Sequence, residues 1–356
     1  MYDWLIKDLK VNTSTIRQIL KTHQHLIRLI SNSSQYKQIE LLDLDRLIDE
    51  SPDRTAWRLH DHCSAILRLY ALYEQFVESL IKEWLQFLPE NIPNYLELDE
   101  KIRNTHRDGV GQLLLNIQKN RFEHLSIETV VKGLFCGVSN QGKYELLPDA
   151  FLLQDRNLRK EILETVFSNV GISNAWSWVV KHKDVKLFFE EEIGKQNTAE
   201  AELNQFITYR NEAAHGKSID RFLSYKELLQ LTDFVDALCQ ALFELLICQA
   251  ILVKVNVGHY KRIGKITEYF KKPQAAIAQV CSKDSSVDLF VGQNDLVVMN
   301  QESSSCYWVE ITSLRINDLP KDRVNIQSEM IEVGMQFNKP VKQGLFLYAK
   351  SSDLSI

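Results

Sequence analysis

The sequence predicts an all-α helical bundle followed by a small C-terminal β-barrel. The chain has 356 residues, which is long for one domain and about right for two. The period of the apolar residues changes from helical to strand-like near residue 253, and the charge changes there too. Residues 1–253 carry 29 basic and 36 acidic side chains, against 13 and 11 in 254–356. We therefore predict a helical extension over 1–49, a helical domain over 50–253 and a barrel over 254–356.

Composition excludes several classes of protein. Apolar residues make up 45% and charged residues 25%, which is ordinary for a globular chain and too apolar for a disordered one. A net charge of −5 argues against a wholly basic nucleic-acid coat. The six cysteines contain no Cys-x-x-Cys pair, so their spacing indicates neither a disulfide framework nor a zinc finger. The N-terminal residues do not resemble a signal peptide, and we expect a cytoplasmic protein without a membrane span.

Apolar residues at three- and four-residue steps predict the helices of the first 253 residues. Two long repeats lie within 66–80 and 231–246. A Thr-Ser-Thr run is suited to start an N-terminal helix over about 13–31. The segments 91–95 and 137–148 are rich in Pro, Gly and Asn and are predicted to be connections.

Short runs of Val, Ile, Phe and Tyr, separated by turn-forming residues, predict strands in the last 100 residues. The runs are 260–270, 275–280, 296–299, 307–316, 330–337 and 345–348. Within 307–316, alternation places Val309, Ile311, Ser313 and Arg315 on one face and Leu314 on the other. Five or six short strands favour a closed barrel, because closure removes unpaired strand edges.

One segment, Arg210-Asn-Glu-Ala-Ala-His215, carries a chemical motif near a predicted helix end, which Gly216 is suited to terminate. Arg offers a fixed fork of donors for phosphate, and His titrates near neutrality, so the pair suits metal-independent phosphodiester cleavage. Five residues correspond to about 140° on a helix. The two side chains then meet only if the helix ends between them or a second copy of the helix crosses a two-fold axis. The alternative is a surface His near the helix dipole.

The motif resembles the R-x4-H motif of the HEPN superfamily in its Arg-Asn-x-x-Ala-His-Gly form. Residues 70–78 resemble the Tyr- and Glu-bearing first helix of HEPN domains in bacterial defence and toxin systems, and 225–251 fits their fourth helix. The resemblance covers about 50–253. It implies a dimer in which two copies of the motif meet in a cleft. It also implies an endoribonuclease in which the 2′-OH attacks the adjacent phosphorus and leaves a 2′,3′-cyclic phosphate.

The resemblance also implies roles for single residues. His215 would act as general acid and base or orient the 2′-OH, and Arg210 would stabilise the phosphorane charge. Asn211 would hydrogen-bond phosphate or ribose, and Glu74 is a further catalytic candidate. Lys217 is a candidate RNA contact, and it occupies the position of the Tyr found in toxins that an antitoxin adenylylates, which argues against that subtype.

Residues of about 258–350 resemble the β-barrel of translation elongation factor domain 2, a module that binds tRNA or other RNA. Gly292-Gln293 and Gly344-Leu345 depart from two Gly-Asp turns of that family. The stretch after residue 254 is basic and aromatic, which suits phosphate contact and base stacking. Its candidate RNA-binding residues are Lys261, Arg262, Lys265, Tyr269, Lys271 and Lys272. The alternative is a solvated strand whose aromatic side chains fill the barrel.

The leading interpretation is a homodimeric endoribonuclease that acts as a bacterial toxin or antiphage effector. It would cut RNA, with tRNA as one candidate substrate, and would need no metal or cofactor. An antitoxin, or an activating phage or host partner, would control it. The alternatives are a non-catalytic HEPN module for dimerisation and RNA or protein binding, and a sensor that stays inactive until a partner binds.

Overall fold

The computed structural model describes residues 3–31, 44–153, 157–191, 197–215, 219, 221–272, 274–282 and 286–351. The chain divides into two compact units. The first comprises Met1–Leu80, Asp155–Leu163 and Asp184–Gln240, and the second comprises Ile81–Gln154, Glu164–Lys183 and Ala241–Ile356. The first unit is helical, and the second combines helices with antiparallel strands. The domain boundaries after residues 49 and 253 stay predictions.

Helices occupy most of the described chain before the strands begin, which confirms the predicted order of fold classes. They are α1 (Asp3–Ser31), α2 (Leu44–Glu50), α3 (Arg54–Asn91), α4 (Glu100–Asn116), α5 (Ile127–Ser139), α6 (Pro148–Phe151), α7 (Lys160–Asn169), α8 (Ala175–Lys181), α9 (Lys183–Glu191), α10 (Ala199–Ala214) and α11 (Tyr225–Asn256). Two single-turn 3₁₀ segments lie at Tyr95–Glu97 and Asn120–Phe122.

Helix α1 starts ten residues earlier than the sequence predicted. Leu5 and Leu9 are buried and extend its apolar stripe upstream, while Asp3 places a favourable negative charge in the first turn. The Thr13 hydroxyl donates to the carbonyl oxygen of Lys10 at 3.3 Å. The predicted start was wrong because a Thr hydroxyl bonded to its own helix is tolerated inside it and does not mark an N-terminus.

The two longest helices confirm the predicted apolar repeats. The predicted face of α3 is buried at Ile66, Leu69, Tyr70, Tyr73, Phe76, Val77 and Leu80, and that of α11 at Leu231, Phe234, Val235, Leu238, Leu242, Leu245 and Leu246. By length and composition alone, α11 is apolar enough to cross a membrane. However, 67% of its most apolar 18-residue window is buried, and the core helices of soluble proteins pass the same test.

The predicted connections are partly confirmed. Helix α3 ends at Asn91, as expected for the first predicted connection, 91–95. The second begins later than predicted, because α5 continues to Ser139 and Asn140 takes the left-handed conformation that ends it. Gly137 lies inside α5, where an added Cβ would stand 2.7 Å from the Tyr95 ring. That glycine serves close packing and not a turn.

The strands form antiparallel ladders. They are β1 (Tyr260–Phe270), β2 (Ala275–Val280), β3 (Val287–Phe290), β4 (Leu296–Asn300), β5 (Ser305–Val309), β6 (Ile311–Ile316), β7 (Leu319–Lys321), β8 (Arg323–Ile326), β9 (Ile331–Phe337) and β10 (Phe346–Lys350). Eight strands pair in the order β5-β4-β10-β1-β2-β9-β6-β7, and β3 pairs with β8. Among the described residues β5 and β7 do not pair with each other. The structure therefore shows an antiparallel sheet region, and its closure into a translation-factor-like barrel stays a prediction.

The predicted strand 307–316 is divided into β5 and β6, and its alternation is interrupted. A register shift lies between Ile311 and Ser313, where β6 pairs with β9. Ile311 and Leu314 are consequently both buried, although they were assigned to opposite faces. A bulge adds a residue to one strand and reverses the side on which the following residues lie. The short strands β3, β7 and β8 were not predicted, because runs of three or four residues carry little periodicity.

Candidate active site

Helix α10 carries Arg210 and Asn211 near its C-terminal end. Its first turn is capped by the Thr198 hydroxyl, which accepts the N–H of Ala201 at 3.2 Å. Its predicted apolar face is buried at Leu203, Phe206 and Ile207. Burial of this face sets the rotation of the helix and leaves Arg210 half-buried on its flank.

The guanidinium of Arg210 lies against an aromatic ring and is bonded to a neighbouring amide. Its Cζ atom is 4.7 Å from the centroid of the Tyr70 ring, a cation–π contact. Its Nη1 donates to Asn211 Oδ1 at 3.1 Å. Among the residues that the structure describes, no carboxylate forms an ion pair with Arg210. Most of its five N–H donors are therefore available to a ligand.

A chain of hydrogen bonds ties the motif to α3. Asn157 Nδ2 donates to Asn211 Oδ1 at 3.2 Å. The Tyr70 hydroxyl has two acceptors in reach, Asn157 Oδ1 at 3.2 Å and Glu74 Oε1 at 3.5 Å. The same hydroxyl oxygen accepts the backbone N–H of Leu158 at 3.2 Å. These bonds hold the motif in one arrangement before any ligand binds.

The two ionisable groups beside Arg210 have shifted pKa values. Burial, reinforced by the charge of Glu74, raises the pKa of Tyr70 to about 12. Burial, and then the negative charge of Glu78, raises the pKa of the Glu74 carboxyl above its ordinary value. The positive charge of Arg210 acts in the opposite direction on both groups. Arg210 therefore favours the ionised form of a carboxyl group whose burial disfavours it.

Among the described residues, the structure shows no contact between the side chains of His215 and Arg210. His215 follows α10 as its C-cap, and its backbone N–H donates to the carbonyl oxygen of Asn211 at 3.1 Å. Helix α10 therefore ends at Ala214, between the two residues, and His215 follows it directly. The His215 side chain is exposed and takes no part in the described hydrogen bonds around Arg210. Gly216 and Lys217 lie outside the described residues.

Sequence reasoning did not select Tyr70 or Asn157 as site residues. Tyr70 lies one helical turn before Glu74, and this i, i+4 spacing is the signal that would have found it. Asn157 belongs to an irregular segment 87 positions from Tyr70 along the chain. No local motif marks it, because only tertiary packing brings that segment to α3.

The predicted RNA-binding residues of the sheet region lie in different environments. Arg262 and Lys265 are exposed on β1, whereas Lys261 is half-buried and pairs across the ladder with Ala349. Tyr269 packs against the core of the sheet region, as the alternative of core-filling aromatics predicted. The lysines at 271–272 are exposed just beyond the end of β1. The basic stretch is therefore divided between at least two parts of the surface.

A helical bundle with an Arg-x4-His motif at the end of one helix, held against a Tyr- and Glu-bearing second helix, is typical of HEPN domains. The chain belongs to the RiboL-PSP-HEPN family, whose model matches residues 14–247. That match begins inside α1 and ends inside α11. No curated protein and no solved structure matches the chain. Membership indicates a module of ribonuclease or RNA-binding type.

Proposed function

We propose that this protein is a metal-independent endoribonuclease that uses Arg210 and His215. The observation that carries the proposal is the Arg210 guanidinium, held by the Tyr70 ring and by Asn211 and without an ion pair among the described residues. Such a preorganised cation is suited to the charge that develops on a pentacoordinate phosphorus. The 2′-OH attacks the adjacent phosphorus and the 5′-oxygen leaves, giving a 2′,3′-cyclic phosphate and a 5′-hydroxyl.

Each polar group of the motif has a role in this reaction. His215 moves protons to and from the ribose oxygens. Asn211 Oδ1 is occupied by Arg210 and Asn157, so its amide N–H groups face the ligand as donors to phosphate or ribose. Glu74 accepts a hydrogen bond from the Tyr70 hydroxyl, and its carboxylate balances the positive charge of Arg210.

A second copy of the chain completes the site in this proposal. Among the described residues no contact joins Arg210 to the His215 side chain of the same chain, so the proposal supplies the histidine from a second copy. A two-fold axis near the end of α10 would place the partner's His215 beside Arg210. The proposal therefore requires a homodimer for activity.

The biological setting we propose is a cytoplasmic toxin or antiphage effector that cuts RNA, with tRNA as one candidate substrate. An antitoxin, or an activating phage or host partner, would control it. A second candidate function is a non-catalytic module for dimerisation and RNA or protein binding. The observation that favours it is that the exposed His215 side chain has no described contact with Arg210 in a single chain.

The test is cleavage of total tRNA and of an unstructured RNA in EDTA, with the product ends mapped and the oligomeric state measured. Wild-type protein and the control His25→Ala, which changes an exposed histidine of α1, are expected to cut. His215→Ala and Arg210→Ala are expected to lose cleavage and to remain folded dimers. Cleavage by His215→Ala would contradict the proposal, and failure of the wild type to cut either RNA would favour the non-catalytic module.

A further inference from the structure

The outward face of β1 and β10 carries two basic and two aromatic side chains, which we name the β1–β10 surface. The antiparallel register pairs Arg262 with Tyr348 and Lys265 with Phe346. Directly paired residues lie on the same face of a sheet, so all four side chains share one side. All four belong to the second compact unit, to which the Arg210 motif does not belong.

Both cations of the β1–β10 surface lie over a single ring. The Cζ atom of Arg262 is 3.9 Å from the centroid of Phe346, and the Nζ atom of Lys265 is 5.3 Å from it. Both cations are on exposed residues, and among the described residues neither forms an ion pair. The guanidinium of Arg262 is planar and belongs to an exposed residue, so it is suited to stack on a planar group of a ligand.

A cavity of about 460 Å³ lies at this surface, within the range of small-ligand sites. One wall is the turn after β4. Asn300 shapes this turn, because its Nδ2 donates to the carbonyl oxygen of Gly344 at 3.2 Å and its Oδ1 accepts the N–H of Glu302 at 2.9 Å. Gln301 and Glu302 also line the cavity and supply polar groups beside the aromatic and basic wall.

Two further lysines add positive charge nearby, Lys350 on β10 and Lys254 near the C-terminal end of α11. Lys350 pairs with Tyr260 in the ladder, two positions from Tyr348. Burial, and then the charge of Lys350, lowers the pKa of Lys254, and Glu90 acts in the opposite direction. Glu302 is the one acidic side chain among the described residues that line the cavity. The surface therefore carries a local excess of positive charge on a chain that is acidic overall.

We infer that the β1–β10 surface binds single-stranded RNA, with a base stacked on Arg262 and backbone phosphates beside Lys265 and Lys350. Cations along a groove together with planar stacking groups are the features by which proteins hold single strands. An acidic peptide would use the charges but not the planar stacking surface of the Arg262 guanidinium. The inference rests on the proposed function for the identity of the ligand as RNA, but it does not require cleavage.

The experiment measures binding of the full-length chain to a fluorescein-labelled 2′-O-methyl oligoribonucleotide, which has no 2′-OH to attack. Anisotropy titrations at several salt concentrations compare wild type with Arg262→Ala/Lys265→Ala and with Lys321→Ala/Lys339→Ala. The second pair removes the same charge from two exposed positions, on β7 and after β9. We expect roughly tenfold weaker binding for the first pair. We also expect its slope of log K against log salt to be smaller by about 1.4. The second pair should stay within about twofold of wild type, because its lysines lie outside the inferred site.

A third variant separates stacking from charge. Arg262→Lys keeps the positive charge and removes the planar guanidinium, so we expect several-fold weaker binding with an unchanged salt slope. Equal losses for the two alanine pairs, no loss for Arg262→Ala/Lys265→Ala, or equal affinity for a duplex of the same sequence would each overturn the inference. If wild type cuts no RNA yet shows the expected binding pattern, the proposed nuclease fails and the β1–β10 surface stands.

Discussion

Two stacked arginines distinguish the helical region from the sheet region. Arg210 lies 4.7 Å from the Tyr70 ring and Arg262 lies 3.9 Å from the Phe346 ring. Arg210 is half-buried and bonded to Asn211, which in turn is held by a neighbouring asparagine. Arg262 is exposed, and its cation–π contact is with the Phe346 ring. The same contact thus suits two tasks. Hydrogen bonds that hold Arg210 in one geometry suit a catalytic role, because catalysis depends on precise positioning. An exposed Arg262 guanidinium suits stacking on any base, because every base has a planar face.

The largest expected effect is on the rate of RNA cleavage, and it is tested by making the same substitution at each arginine in turn. Arg210→Lys should lower the rate of RNA cleavage by about 10²–10³-fold, because an ammonium cannot reproduce the planar fork aimed at the phosphorane. Arg262→Lys should leave the single-turnover rate at saturating protein within about twofold of wild type. Single-turnover cleavage of a short RNA by the two variants checks this. Equal rate losses at both positions would remove the distinction between them.

A matched pair of tyrosines gives the next effect, on stability. Tyr70→Phe keeps the ring under Arg210 but leaves the buried N–H of Leu158 without its acceptor, so the free energy of unfolding should fall by about 1–3 kcal/mol. The Tyr348 hydroxyl on the β1–β10 surface has no hydrogen bond among the described residues. Tyr348→Phe should therefore lower the free energy of unfolding by less than about 0.5 kcal/mol. Urea unfolding curves compare the two. A loss at Tyr348 as large as that at Tyr70 would contradict the assigned network.

The smallest effect is a pH dependence at Glu74. The pKa of Glu74 is raised in the folded protein, chiefly by burial. At pH values between the ordinary and the raised pKa, the folded state therefore binds more protons than the unfolded state. Stability therefore falls as pH rises through that window. Glu74→Gln removes this penalty and should raise the thermal unfolding midpoint at pH 7.5, with a gain that shrinks as the pH approaches 4. Glu268→Gln, at an exposed position of β1, is the control. A gain that grows on acidification would show the opposite sign.

Periodicity and residue type account for the parts of the fold that were predicted correctly. The buried faces of α3 and α11 follow from apolar residues at helical spacing, and the Arg-x4-His motif lies at the end of α10 as its flanking residues indicated. Predictions from local sequence were wrong at residue types that are compatible with two structural roles. Thr13 satisfies its hydroxyl inside α1, and Gly137 packs against a ring instead of forming a turn.

Local sequence patterns were enough to predict that a helical region precedes a region of strands, and to select Arg210 and His215 as the candidate chemical motif. These properties depend on neighbours along the chain, which set the apolar period and the motif. Three features became visible only in the folded chain. Asn157 joins Tyr70 to Asn211, and a bulge in β6 reverses the face of Leu314. Arg262 is exposed, whereas Tyr269 packs against the core of the sheet region. Each of these depends on contacts between distant segments, whose register and packing no local spacing encodes.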